Sequence, residues 1–177
     1  NTITAVSGTV LTGLDNQTGV WSTASTGVPQ FLVSNKTQTN NPSADTLIFT
    51  VPLTVSSGNT VNGVIVSKSS VAGTAVNLAF NVTAIGTNGG RGYCHTQGEL
   101  TATSDTIGNL LLPSILTGRA KSTTHTDFIT ANTPQPISFE CAVIVGTTAT
   151  SLKIYMNPEV TGATISANTG SYYLKTP

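Results

Sequence analysis

The sequence predicts an all-β fold, an antiparallel sandwich or barrel built as one domain, on three observations. Apolar residues recur at every second position in several segments, the period of a strand with one buried face. Clusters of glycine, proline, asparagine and threonine separate those segments along most of the chain. No segment sustains a helical period for three turns. At 177 residues the chain is long enough to bury a core without a metal or a disulfide to hold it.

The elements follow in order. Residues 1–30, with "SGTVLTGLDNQTG" and "STASTGVPQ", hold few long apolar runs and read as an N-terminal arm or connector carrying one or two strands; the sandwich occupies 31–177. "TLIFTVPLTV" alternates through Leu47, Phe49, Val51, Leu53 and Val55, and Pro52, which has no N–H for a ladder, moves this strand to an edge or a bulge. "VNGVIVSK", residues 61–68, supplies the next strand. The clearest alternation is Val76, Leu78, Phe80 and Val82 on one face against Asn77, Ala79, Asn81 and Thr83 on the other. "TNGGRG" follows it and reads as a hairpin turn using positive-φ positions. "SDTIGNLLLPSILTG" is read as a loop or a single helical turn, because Gly108 and Pro113 interrupt any helix that Ser104 would cap.

Two late runs close the chain. "PISFECAVIVG" places Ile137, Phe139, Cys141, Val143 and Val145 on one face, so Cys141 points into the core. "LKIYM" places Leu152, Ile154 and Met156 together, and the short polar "GTTATS" between the runs predicts an antiparallel hairpin. "SYYLKT", residues 171–176, is the last strand.

Composition narrows the function. Charged residues make up 8% of the chain, against about a quarter in ordinary globular proteins, while threonine occurs 33 times. Solubility therefore rests on hydroxyls and amides. Seven basic and seven acidic side chains cancel and are scattered, so no patch is available to neutralise a run of phosphates, and direct nucleic-acid binding is not expected. No apolar stretch approaches the ~20 residues needed to cross a bilayer as a helix, so membrane insertion is not expected.

Chemistry is sparsely provided for. His95 and His125 are the only histidines, and His95 and Cys94, as strand neighbours, point to opposite faces. Cys94, His95, His125 and Cys141 form a conceivable zinc set but lack the close ligand pairs of structural zinc; no metal and no cofactor are expected. Cys94 and Cys141 permit one intrachain bridge or none. The seven acids fall in different segments, with nothing to prefer one glycosidase-like pair over another, so the chain is expected not to be an enzyme. Gly89, Gly90 and Gly92 around Arg91 lack the Lys-Ser or Lys-Thr and the following helix of a phosphate loop. A loop end there would present Arg91, Tyr93 and His95, and with Trp21 these are the candidate ligand-binding residues: aromatic and hydrogen-bonding groups of the kind that suit sugars.

As a whole, the strand and turn "VNLAFNVTAIGTNGG", the late run "PISFECAVIVGTTATSLKIYM" and the closing "ATISANTGSYYLKTP" resemble the C-terminal head domains of bacteriophage tail fibres and tailspikes, over residues 46–177. That family has trimeric jelly rolls similar to C1q and tumour necrosis factor folds. The resemblance implies an antiparallel β-sandwich of jelly-roll type on a virion exterior, a homotrimer with one face per subunit packed about the threefold, binding a host surface polysaccharide or receptor. Two other readings share this composition: a jelly-roll capsid coat protein of a small virus, and a bacterial pilin or fimbrial adhesin subunit completed by a neighbour's strand.

Overall fold

The computed structural model describes residues 27–39, 45–72, 76–82, 91–101, 104–112, 120–121, 131–146, 150–158 and 161–176. No helix occurs among them. The strands are β1 (Gln30–Phe31), β2 (Lys36–Thr39), β3 (Thr46–Leu53), β4 (Gly58–Ser69), β5 (Val76–Val82), β6 (Arg91–Thr101), β7 (Ser104–Leu112), β8 (Ala120–Lys121), β9 (Gln135–Ile144), β10 (Thr150–Pro158), β11 (Thr164–Ala167) and β12 (Tyr172–Thr176).

They form two antiparallel sheets. The four-stranded sheet has the order β3-β10-β5-β8, and the eight-stranded one runs β1-β12-β4-β9-β6-β7, with β11 between β2 and β4. β4 is long enough to take β9 along one edge and two strands on the other: β12 pairs with Thr60–Val64 and β11 with Ser67–Ser69. Between β11 and β12 the chain leaves the ladder for residues 168–171, and Ser171 Oγ accepts the Val66 N–H at 2.9 Å in place of a strand partner.

The sheets face each other across one core. Val51, Val76, Leu78, Phe80, Leu152, Ile154 and Met156 come from the small sheet and Val61, Ile65, Ile137, Phe139 and Cys141 from the large one, all buried. Rings join the layers: Phe80 lies 6.0 Å from Phe139, and Phe49 lies 5.2 Å from Tyr173, edge to face. The sandwich architecture and the buried faces of β5, β9 and β10 are those the alternation predicts.

Four expectations are corrected. β9 and β10 do not form a hairpin: β9 pairs with β4 and β6, and β10 with β3 and β5, so the chain changes sheets between them. The strands flanking "TNGGRG", β5 and β6, likewise belong to different sheets and do not form a hairpin; residues 83–90 themselves lie outside the described residues. "SDTIGNLLL" is neither loop nor helical turn but the strand β7, paired with β6 from Gly92↔Leu112 to Thr101↔Ser104. Leu47 does not join the core face of β3. The register shifts opposite Ile154 and Tyr155, so Ile48 is an extra residue in β3; Ile48 and Phe49 are both buried and Leu47 turns outward, 40% exposed. Pro52 does sit in an edge strand, since β3 pairs only with β10 among the described residues.

The arm assigned to residues 1–30 lies outside the described residues as far as 26; Gln30 and Phe31 form β1 against Tyr173 and Tyr172.

Candidate functional site

Strand alternation decides what β6 presents. Cys94 and Thr96 point into the sandwich, 1% and 0% exposed, so Tyr93, His95 and Gln97 stand on the opposite, solvent side of the large sheet. Cys94 is directly paired with Cys141 of β9, and the two form a disulfide with a Cα–Cα distance of 4.1 Å. This bridge fastens the β6–β7 hairpin to the centre of the large sheet. It also withdraws both sulfurs from metal ligation, which removes the four-residue zinc set.

Register carries the outward face of β6 across three strands. Tyr93 pairs with Ala142, and Ala142 with Thr60; His95 pairs with Glu140, and Glu140 with Asn62; Gln97 pairs with Ser138, and Ser138 with Val64. Side chains on such a face are spaced by ~5 Å across strands and ~7 Å along them, comparable to the repeat of a sugar ring and its hydroxyls. Tyr93 is 39% exposed, with only the methyl of the exposed Ala142 opposite it on β9. Beyond it lie one imidazole, one exposed carboxylate and two amides, while the Ser138 hydroxyl donates to the Gln97 carbonyl at 3.1 Å. An aromatic ring beside neutral and acidic hydrogen-bonding groups on a flat surface is suited to stacking and polar contact with a saccharide.

Of the residues expected to bind ligand, Tyr93 and His95 are brought together on this face, although they stand within a strand and not at a loop end. Arg91 is the first residue of β6, paired with Ile144; Trp21 lies outside the described residues. Glu140, Asn62, Gln97 and Ser138 were missed. Alternation already sets Ser138, Glu140 and Ala142 opposite the core, but only the β6–β9 register places them beside His95.

Among the described residues no three His, Cys, Asp or Glu side chains come together in a group that could hold a metal. The two acids whose side chains are described stand apart, Asp45 immediately before β3 of the small sheet and Glu140 on the outer face of the large one.

No family model, no curated protein and no solved structure matches this chain.

Proposed function

We propose that this chain is a non-enzymatic structural and attachment module of a virion exterior, a jelly-roll sandwich that assembles as a homotrimer and binds a host surface glycan. One observation carries the reading. Leaving aside β1, β12 and the β6–β7 hairpin, the remaining strands pair in a nested series: β2 with β11, β3 with β10, β4 with β9, and β5 with β8. Successive pairs alternate between the large and the small sheet. A ribbon of nested antiparallel pairs wrapped around one core is the plan of a jelly roll, an architecture recurrent in viral capsid and lectin domains. Fold alone does not assign function.

The inserted hairpin supplies the rest of the argument. β6 and β7 add to a wrap that is already complete, and β6 carries Tyr93, His95 and Gln97 outward beside Glu140 and Asn62. A surface of hydroxyls and amides with few titrating groups tolerates changes of pH and salt, as an exterior particle requires. Shallow sites of modest affinity gain avidity when a threefold presents them together.

Light scattering on the purified chain tests the assembly, and a glycan array the ligand. A particle near three times 18.1 kDa that binds glycan, with Tyr93→Ala reducing binding about tenfold and leaving the mass unchanged, supports the proposal. A shell-sized assembly makes the chain a coat subunit, which the same nested wrap would also serve. A stable monomer without glycan binding defeats both.

A further inference from the structure

We propose that Asp45 and Asn157 hold a divalent cation, calcium by their chemistry, at the end of the small sheet. Asn157 alternates with the core residues Ile154 and Met156 and shares the side of β10 that Lys153 and Tyr155 occupy. Those two are half-buried; Asn157 is fully buried. A buried amide must place both its ends. The Nδ2 of Asn157 donates to Asp45 Oδ1, but its own Oδ1 is shielded from water and accepts no hydrogen bond. Asp45 Oδ2 is shielded as well.

The surroundings extend this into a row. Met156 pairs with Thr46, so Asn157 stands one step further along, beside Asp45; on its other side it pairs with Asn77 of β5, which is half-buried on the same face. The residue preceding β3 and the paired positions of β10 and β5 thus bring one carboxylate and two carboxamides into line. A shielded carbonyl oxygen without a donor, next to a carboxylate, sits in negative potential and is satisfied by a positive charge. Calcium takes six to eight oxygens from carboxylates, amide carbonyls and water, and the partial exposure of Asn77 and Asp45 leaves water a place in the shell. With a single carboxylate the affinity belongs in the weak range of extracellular modules, a Kd on the order of 10⁻⁴ to 10⁻³ M.

The test uses terbium, which replaces calcium and emits when a nearby tyrosine is excited. Tyr155 lies two residues before Asn157 on the same face, ~7 Å along the strand. The full chain should give saturable terbium emission that calcium displaces, and 10 mM calcium should raise its Tm by about 4–7 °C. Tyr155→Phe should abolish the emission and keep the calcium-induced Tm shift. Asp45→Asn, which preserves the shape, should weaken binding at least tenfold. Asn157→Asp discriminates most sharply: a second carboxylate should tighten binding about tenfold and lower the Tm in chelator, with calcium restoring it. No saturable emission and no Tm shift would mean that only water bridges the pair, and the proposal fails. It fails equally if Asp45→Asn binds as the parent does, or if the emission survives Tyr155→Phe, since the ion would then lie elsewhere.

Discussion

The ring of Phe139 lies over the bare Cα of Gly63, its directly paired neighbour across β9 and β4. A Cβ on Gly63 would come within 2.8 Å of the ring and 2.2 Å of the Tyr172 carbonyl oxygen. The glycine thus lets β12 approach β4 closely while the aromatic ring fills the space a side chain would take. Gly63→Ala should therefore destabilise the sandwich by about 3 kcal/mol, at the upper end of overpacking, because the backbone oxygen has less freedom to yield than a side chain. Urea denaturation measures it; a loss under 1 kcal/mol would show that β12 shifts without cost.

Cys94 and Cys141 close a loop with a sequence separation of 47, for which chain entropy gives a stabilisation of about 4 kcal/mol. Replacing both by alanine should lower stability by about that amount, with a further small loss for the vacated volume. The bridge lies between the inserted hairpin and β9, so hydrogen exchange should increase first in β6 and β7 and least in β10. A uniform increase over both sheets would mean that the hairpin and the wrap unfold as one unit.

How far this was readable before the structure depends on the interaction concerned. Burying one face of a strand needs only its own residues, so Val76 to Val82 and Ile137 to Val145 announce their inner sides. Which strand lies alongside is a non-local choice. The "GTTATS" segment is as compatible with a crossover as with a hairpin, because β9 and β10 are half-buried in either arrangement. Cys94 and Cys141 show the same limit: alternation turns Cys141 inward, yet only the β6–β9 register sets it opposite Cys94. The insertion of Ile48 leaves no mark on composition and still reverses Leu47. On the outer face, Tyr93 and His95 were recognisable by type, and Glu140 and Asn62 became their neighbours only through pairing.

Asn59, 2% exposed, organises the turn between β3 and β4. Its Oδ1 accepts the Thr54 N–H at 2.8 Å, and its Nδ2 donates to the carbonyls of Thr54 and Ser57 at 3.0 and 3.1 Å. Asn59→Ala removes all three hydrogen bonds from main-chain groups of the exposed Thr54 and the half-buried Ser57, where water replaces part of them, and should cost about 1–2 kcal/mol. Asn59→Asp keeps the acceptor but loses both donations, so it should be no better tolerated near pH 7. The Tm values of the two variants check this; a neutral alanine variant would mean that water replaces the amide.

Lys175 and Tyr173 give the alkaline side of the stability profile opposite slopes. Both point inward from β12, Lys175 8% exposed with its Nζ donating to Thr54 Oγ1 at 2.8 Å, and Tyr173 packed edge-on against Phe49. Burial lowers the Lys175 pKa from its ordinary 10.5 and raises that of Tyr173 from its ordinary 10.0. Between the folded and unfolded pKa of Lys175 the unfolded chain binds more protons, so stability rises with pH there, up to about 10.5. For Tyr173 the folded chain keeps the proton that the unfolded chain releases, so its contribution is complete below about 10.0 and is lost as pH rises above it. The two windows meet near pH 10, where the profile should pass through a local maximum. Lys175→Met should remove the rising limb and leave the fall, and Tyr173→Phe should do the reverse, both read from urea midpoints between pH 8 and 11. A profile that keeps its rising limb in Lys175→Met would assign the titration to another group and release Lys175 from its buried setting at the Thr54 turn.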